Sequence, residues 1–298
     1  MDNTQENKRI NVLSSFWLKV IAMLTMTFDH LGVMISAYSL NYNLAYAFRI
    51  IGRFSLPLFC FLVVEGVLHT KNFGKYMLRL GIVGTLVLIA QIVLEYGVGF
   101  TVLQGNIFID LIWGAIAVKC LMNKNNWIKL IAIVPILIGI ASYIFFSLEE
   151  AFNPVAYYFP YYLRSQYSLY AIILIVGFYI AYLLARVYFR AMNLNYELYE
   201  NSNYDRMVKN ILCILMLTVV TVIHYVMNVY VMPNFSNDYI DFTFANFALQ
   251  TYAIISGAFI LLYSGNRGYN AKWFKYFSYA YYPLHILVIY GLFALILG

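Results

Sequence analysis

The sequence predicts an all-α fold, a polytopic integral membrane helix bundle of about nine transmembrane helices. Composition is the first reason: 63% of the 298 residues are hydrophobic and only 11% are charged. Soluble domains contain about a quarter charged residues. The second reason is that the apolar residues fall in long runs separated by short polar segments. In lipid such runs are helices, because a helix satisfies its own backbone hydrogen bonds.

The chain begins with a polar segment, residues 1–16, and continues as one transmembrane domain, residues 17–298. No small-residue cleavage site follows the first apolar run, so we expect that run to remain as a span. We see no internal repeat and no soluble domain. The nine predicted spans are 17–38, 45–68, 77–99, 106–122, 127–148, 168–190, 209–232, 243–264 and 274–297.

Basic residues indicate the orientation of these spans. Most of the 19 Lys and Arg residues precede the first span or lie between spans 2 and 3, 4 and 5, 6 and 7, or 8 and 9. Basic residues concentrate in cytoplasmic loops. We therefore expect a cytoplasmic N-terminus, an extracytoplasmic C-terminus and a multi-pass protein of a bacterial-type cytoplasmic membrane. The opposite loops contain Arg164 and acids that include Asp110.

Two loops and the cysteines have simple interpretations. Residues 149–167 are extracytoplasmic and rich in aromatic residues, as in an interfacial belt or a platform beside a substrate entrance. Residues 191–208 are polar, and we expect a solvated cytoplasmic linker there. Cys60, Cys120 and Cys213 lie in apolar runs without metal-ligand spacing, so we interpret them as core thiols.

Ionisable residues near the middle of the membrane are the strongest functional signal. Asp29 lies ~20 Å into span 1, and Arg53 in span 2 reaches a similar depth. His285 in span 9 and His224 in span 7 are also placed near the midplane. Such groups normally face a protein interior or a water-filled cavity.

Helical geometry selects the partners of these residues. Asp29 and His30 are adjacent and point about 100° apart, so Asp29 is not expected to orient the His30 ring. Arg53, at matching depth, is the best partner for Asp29. Arg49 is one turn from Arg53 and shares its face. A purely architectural ion pair remains an alternative for these residues.

Two prolines are predicted to kink their spans, because proline removes a backbone hydrogen bond. Pro57 lies in span 2. Pro283 precedes His285 by two residues, and its kink would aim the imidazole and open space beside it. Tyr281 and Tyr282 lie on the same face and are candidates to hydrogen-bond His285.

Several of these residues also have ordinary structural explanations. His224 is best explained as a hydrogen-bonded core histidine, and a tolerated kink in a packed bundle explains Pro283 equally well. Glu65 and His69 lie near the cytoplasmic end of span 2, where interfacial solvation explains them. Phosphate-binding glycine loops, metalloprotease motifs, cysteine–histidine clusters, nucleophile elbows and nucleic-acid modules are all absent from the sequence, so we expect neither a metal nor a nucleic-acid partner.

Four short segments, in order along the chain, resemble the TraX family. Their marks are a DH pair late in span 1, a GR…PLF segment in span 2, a GN at the head of span 4 and a histidine in the last span. The segments are IAMLTMTFDHLG, IIGRFSLPLFCFLVVEG, QGNIFIDLIWGAIAVK and YFSYAYYPLHILVIYGL.

This resemblance implies acetyl transfer by an acyltransferase-like domain. TraX proteins are associated with N-acetylation of pilin, and the family is similar to a wider group of membrane acyltransferases that use cytosolic acetyl-CoA. In that group a histidine at the end of the first span is the expected catalytic residue, which corresponds to His30. The partners implied are acetyl-CoA as acyl donor, the lipid bilayer, and an acceptor that is a pilin-like peptide or a surface glycan.

Acyl transfer needs a base and a group that stabilises an oxyanion. We assign the catalytic roles to His30, Asp29 and His285, with either histidine as the base and with direct transfer and an acetyl-histidine intermediate both open. The supporting or oxyanion residues are Arg53, Arg49 and Tyr282. The residues expected to bind the phosphates of CoA are Lys71, Lys75, Arg79, Lys272 and Lys275. Positive-inside topology alone would also explain these basic residues.

Two other classes of function remain. The alternative is a proton-coupled transporter of a polar solute that uses Asp29, His30 and His285, although no repeat or paired broken helices favour it. The third class is a non-catalytic assembly factor.

Overall fold

The chain is a polytopic helical membrane bundle. The computed structural model describes residues 12–98, 106–152, 164–167, 169–227, 230 and 249–297. A 3₁₀ helix spans Thr251–Ser256. The α-helices are α1 Ser15–Ala37, α2 Tyr42–Gly52, α3 Ser55–His69, α4 Phe73–Val98, α5 Ile107–Leu121, α6 Asn126–Leu130, α7 Ile133–Phe152, α8 Leu169–Ala191, α9 Tyr196–Tyr199, α10 Asn203–Val226, α11 Gly257–Leu261 and α12 Lys272–Leu297.

Seven helices of the described residues are long and apolar enough to cross a membrane, counting α2 with α3 and α6 with α7 as one helix each. Two predicted spans correspond to shorter elements. Span 106–122 contains α5, which at 15 residues is ~22 Å long, short of a ~30 Å hydrocarbon core. Span 243–264 begins outside the described residues and contains a short apolar helix, Thr251–Leu261. The count of nine spans and the orientation therefore stay predictions.

The predicted second span is interrupted. Helix α2 ends at Gly52 and α3 begins at Ser55, with a turn at Arg53 and Phe54. Pro57 explains the position of this break, because its missing N–H would otherwise bond the Arg53 carbonyl. Within α3 the proline is third in the helix, where N–H groups have no intrahelical acceptor. Span 2 is thus two helices, and Arg53 lies at the joint.

Helices α1 and α2 approach one another closely at Gly32. A Cβ atom added there would lie 2.9 Å from the Ala45 carbonyl oxygen and 3.0 Å from Cγ of Arg49. Small residues permit such approaches between membrane helices. The glycine of the DHLG segment therefore brings the α2 residue Arg49 beside α1.

The largest buried apolar cluster joins residues of α1, α3, α4, α5, α8 and α10. Cys60 and Cys213 are free and buried, in agreement with their prediction as core thiols, and Cys120 is free and half-buried. Helix α3 is central, since most of its side chains are buried. The candidate site lies where α1, the α2–α3 joint and α12 meet beside this core.

The prediction of a solvated linker over residues 191–208 is wrong at its end. Helix α10 begins at Asn203, with Asp205 fully buried and Arg206 only 7% exposed. Lys209 donates to Asp205 at 2.6 Å. Ser202 caps this helix by accepting a hydrogen bond from the Asp205 N–H. Capping and the i,i+4 ion pair start the helix within the stretch that composition alone marks as polar loop.

The prediction that Glu65 is solvated at the membrane interface is also wrong. Its carboxylate is buried and accepts hydrogen bonds from the hydroxyl groups of Tyr182 and Tyr263 and, at 3.0 Å, from the guanidinium of Arg206. His69 alone is exposed, and it contacts Glu65 from the next turn. A carboxylate taken out of water needs such partners, and here three other segments supply them.

Candidate functional site

The acid of the DH segment lies in an ion cluster with two arginines. Arg53 forms a salt bridge with Asp29, as the matched depths predict. Arg49 also reaches the same carboxylate, with 3.2 Å between Nη1 and Oδ2. The sequence predicted only that Arg49 shares a helix face with Arg53. We call Asp29, Arg49 and Arg53 the arginine cluster.

The remaining donors of Arg53 reach other elements. Its Nη1 donates to Oε1 of Gln250 at 3.3 Å and its Nε donates to the Arg49 carbonyl. The Tyr167 hydroxyl lies within hydrogen-bonding reach of the same guanidinium. Arg53 therefore connects α1 to the segment before the 3₁₀ helix and to residues 164–167. A guanidinium held on several sides by fixed acceptors keeps a positive charge at one place in the protein interior.

The two candidate histidines meet inside the bundle. The ring centroids of His30 and His285 are 5.0 Å apart, and the rings are edge to face. His30 Nδ1 lies 3.4 Å from the Tyr290 hydroxyl. We call His30 and His285 the histidine pair. Their contact brings together two residues at opposite ends of the sequence, as expected for a shared site.

The last helix holds His285 in one orientation. Its Nδ1 lies 2.9 Å from the Tyr281 carbonyl oxygen, an acceptor that requires a proton on Nδ1. Nε2 is buried and has no hydrogen-bond partner among the described residues. The Tyr281 ring stacks on the imidazole at 5.3 Å, and the Tyr282 ring packs against it edge-on. Pro283 lies inside this helix, as predicted.

The expected hydroxyl contact with His285 is absent at Tyr281. That hydroxyl bonds Thr27 of α1 instead, at 2.5 Å. The phenol ring extends past the imidazole, so its hydroxyl oxygen reaches α1. Tyr281 thus acts on His285 through its carbonyl and its ring face.

A small cavity of about 40 Å³ lies beside these groups. It has room for a few water molecules, since each needs ~10–15 Å³. Asp29, His30 and Arg53 line it. His285 contacts His30 but is not among the lining residues. The other lining residues are Met26, Gly52, Ser55, Leu56, Phe59, Ile107, Gln166, Tyr167, Gln250 and Tyr282.

One wall of this cavity comes from the end of the aromatic loop 149–167, predicted as an interfacial belt or a platform beside a substrate entrance, although neither Gln166 nor Tyr167 was named as a site residue. Gln166 and Tyr167 follow a loop whose first part, up to residue 163, lies largely outside the described residues. Asp110, expected in an exposed loop, is fully buried and accepts hydrogen bonds from the Ser165 hydroxyl and from the N–H groups of Gln166 (2.8 Å) and Tyr167 (3.4 Å). The sequence did offer one signal for this role of Asp110, which follows Asn106 of the GN mark by one helical turn.

The neighbouring loop residue is buried as well. Arg164 is 0% exposed, and its guanidinium lies over the Phe145 ring at 5.7 Å. Its carbonyl accepts from the Asn106 N–H at 3.2 Å. Asn106 also caps α5 and donates to the Gly84 carbonyl of α4. The asparagine of the GN mark therefore fixes both α5 and the segment that walls the cavity.

His224 lies apart from the histidine pair. Helix α10 begins six residues before the predicted span, which places His224 ~32 Å along it, towards its far end. Its ring packs on Tyr170 at 4.7 Å. The interpretation as a core histidine agrees with this contact, and the midplane depth of His224 stays a prediction.

The five basic residues predicted to bind phosphate fall in two places. Lys71 and Lys75 are exposed at the start of α4, and Arg79, one turn further, contacts Tyr279 of α12. Lys272 and Lys275 begin α12. Lys19 lies within electrostatic reach of Lys275 and of Arg267, and neither Lys19 nor Arg267 is in the prediction. No contact among the described residues joins Lys71 or Lys75 to this second group.

The order of these features agrees with the comparison of the chain with known families. The model of the TraX protein family matches residues 14–240. The chain belongs to the TraX family. The family match covers α1 through α10, including the arginine cluster, His30, Asn106 and Asp110.

One relative of this TraX-family chain is named "Probable fimbrial assembly protein FimC, serogroup H1", from Dichelobacter nodosus. It is 44% identical over 68 residues, which are 22% of this chain and 27% of that relative. The match thus spans about a quarter of the relative's length. No solved structure matches the chain.

Proposed function

We propose that this TraX-family protein is a membrane acetyltransferase that moves an acetyl group from acetyl-CoA to an amine or hydroxyl of an extracytoplasmic or membrane-presented acceptor. The observation that supports it best is the contact between His30 and His285 inside the bundle, beside a cavity that His30, Asp29 and Arg53 line. A base and a fixed positive charge are what acyl transfer requires.

His30 is the base in this proposal, because it lines the cavity and His285 does not. Histidine is the side chain that most often serves as a general base in enzymes. His285 supplies a second basic nitrogen, since its Nδ1 proton is held by the Tyr281 carbonyl and its Nε2 stays available. Asp29 compensates part of the positive charge of Arg49 and Arg53 and thereby fixes the cavity wall.

The reaction is balanced without a further reactant. The acceptor nitrogen or oxygen attacks the thioester carbonyl carbon while its proton passes to His30. The carbonyl becomes an oxyanion, which Arg53 and the hydroxyl groups of Tyr167 or Tyr282 stabilise. The C–S bond then breaks, and the CoA thiolate takes the proton back from His30. The products are an acetylated acceptor and free CoA.

The cavity of about 40 Å³ is too small for the acetyl and pantetheine groups together. Donor binding therefore requires α1 and α12 to separate locally, and the Thr27–Tyr281 hydrogen bond is one contact that would open. The phosphates would stay at the predicted cytoplasmic mouth, for which the candidates predicted from the sequence are Lys71, Lys75, Arg79, Lys272 and Lys275. A pilin-like peptide is the favoured acceptor, since the relative from D. nodosus is named as a fimbrial assembly protein, and a surface glycan is the other candidate.

Purified protein in lipid nanodiscs, labelled acetyl-CoA and a panel of pilin N-terminal peptides and surface glycans test this function. His30→Ala should lower the transfer rate by at least about 100-fold, the usual contribution of a general base, and His285→Ala should also lower it. His224→Ala, which alters a histidine that is not among the residues lining the cavity, is the matched control and should transfer normally.

Folded His30→Ala and His285→Ala proteins that transfer acetyl at the wild-type rate would overturn the proposal. Absence of transfer to every acceptor, together with proton-coupled solute uptake in proteoliposomes, would favour the transporter instead. Mass spectrometry of surface peptides and glycans from cells with and without the protein then identifies the acceptor by the mass of one acetyl group.

A further inference from the structure

Three basic side chains lie together where α1 and α12 meet at the predicted cytoplasmic end. Lys19 of α1 lies within electrostatic reach of Arg267 and Lys275, and the two helices contact one another. None of the ion pairs in the described part of the chain includes any of these three residues. We call Lys19, Arg267 and Lys275 the basic cluster. Unpaired like charges held this close favour a polyanionic ligand.

The loop that contains Arg267 is held in one conformation by α1. The N–H groups of Ser15 and Phe16 donate to the carbonyls of Asn266 (2.9 Å) and Arg267 (3.2 Å). Gly268, with φ +70°, packs so closely that a Cβ there would lie 2.2 Å from Oγ of Ser14. This left-handed conformation is one that glycine adopts without strain. Arg267 is therefore presented by a fixed backbone.

A second glycine anchors the other side of the loop. Gly265, with φ +77°, leaves no room for a side chain, because a Cβ there would lie 2.7 Å from Nε of Arg206. Arg206 is in turn fixed by the buried carboxylate of Glu65. The loop before α12 is thus tied to both α1 and α10 before any ligand arrives, which lowers the entropic cost of binding.

Aromatic faces flank the basic cluster. Tyr269, Trp17 and Trp273 are each about half exposed. Trp273 donates to the Tyr269 hydroxyl at 2.8 Å, and Phe16 packs against Tyr269 at 5.4 Å. Bases stack on such aromatic faces, and cations beside them hold phosphates. The combination suits a phosphorylated purine nucleotide better than a phosphate alone.

The distance to the histidine pair matches the donor of the proposed reaction. Lys275 precedes His285 by ten residues and Lys19 precedes His30 by eleven, which are ~15 and ~16 Å along α12 and α1. The pantetheine arm of CoA has about twelve chain atoms between phosphate and sulfur, the length of about four extended residues or ~14 Å. An arm anchored at the basic cluster would bring its thioester to the histidines.

From these observations we infer that the basic cluster, with the aromatic faces of Tyr269 and Trp273, binds the 3′-phosphorylated ADP end of CoA. This inference rests on the proposed acetyl transfer and relocates the donor's phosphates. In this arrangement the phosphates of the donor lie between α1 and α12, and Lys71 and Lys75 of α4 do not contact these phosphates. Anionic lipid headgroups share the phosphate chemistry and are the competing source of ligand.

Binding of adenosine 3′,5′-bisphosphate, measured by calorimetry in zwitterionic nanodiscs, tests the site without any transfer reaction. Lys19→Ala, Arg267→Ala and Lys275→Ala should each weaken binding about tenfold, as expected for loss of one charge-assisted contact. Lys124→Ala, at an exposed basic residue on the same predicted side, should bind normally. Unchanged binding in all three cluster variants would overturn the inference.

Kinetics separate the nucleotide end of the donor from its reactive end. In the three cluster variants KM for acetyl-CoA should rise about tenfold, while KM for acetyl-pantetheine, which lacks the nucleotide, stays unchanged. Variants that lose only a preference for anionic-lipid nanodiscs would assign the cluster to lipid and refute the inference. Bisphosphate binding without acetyl transfer from either donor would refute the proposed function and leave the nucleotide site standing.

Discussion

The side chain of Asp29 lies directly against the backbone of Gly52. A Cβ atom added to Gly52 would lie 2.3 Å from Cβ and 2.4 Å from Oδ1 of Asp29. The glycine of the GR segment thus provides the space in which the carboxylate turns towards Arg53, the residue that follows it. Two short motifs on different helices are therefore one packing unit, in which a missing side chain is as necessary as the charges.

Gly52→Ala should lower the free energy of unfolding by about 1–3 kcal/mol, the usual cost of overpacking. Alanine is favoured over glycine in a helix by roughly 0.5–1 kcal/mol, which does not offset the clash. Thermal unfolding in detergent measures the change. Gly291→Ala on α12 is the matched control, since a Cβ there meets nothing within 4 Å, and it should be neutral or stabilising. Equal stability of the two variants would contradict the packing described for Asp29.

Asp29→Asn should destabilise the protein by about 3–5 kcal/mol, because it leaves the charge of Arg53 buried without compensation. Arg53→Gln should also destabilise it. The double variant should lose less stability than the two single losses combined, with a coupling of about 0.5–3 kcal/mol, because it removes both charges. Strictly additive losses in a double-mutant cycle would mean that the salt bridge contributes nothing.

Glu65→Gln should lower the free energy of unfolding by about 3–5 kcal/mol, because Arg206 then keeps its charge in a buried position. Tyr182→Phe removes a single hydrogen-bond donor from the same carboxylate and should cost only about 1 kcal/mol. Chemical denaturation in detergent compares the two variants. A smaller effect for Glu65→Gln than for Tyr182→Phe would refute the role of Glu65 as the centre of this network.

Asp110→Asn should loosen the segment that walls the cavity, since its carboxylate binds Ser165, Gln166 and Tyr167. Weaker acceptance by the amide should speed hydrogen exchange at the backbone N–H groups of residues 166 and 167 by roughly tenfold. Exchange followed by mass spectrometry detects this change. Glu197→Gln, at an exposed acid, is the control, and equal protection in both proteins would rule out Asp110 as the anchor.

Much of the architecture was predictable from local patterns. Apolar runs placed the long helices within a few residues, because hydrophobicity and helix length are properties of contiguous sequence. Depth along a helix follows from residue count, so the pairing of Asp29 with Arg53 was also predictable and is confirmed. The errors arose at Asp110, Arg206 and Glu65, where charge was taken as a sign of exposure. Each is buried because residues distant in sequence supply its partners.

The sequence by itself determined that this chain is a helical membrane bundle, where its long helices run and that Asp29 pairs with Arg53. Only the tertiary structure decided that His30 meets His285, that Arg49 joins the ion pair, and that Lys19 lies beside Arg267 and Lys275. The physical reason is that helix formation depends on neighbouring residues, whereas a site depends on which faces of separate helices pack together. Close approaches such as that at Gly52 and breaks such as that before Pro57 set those faces.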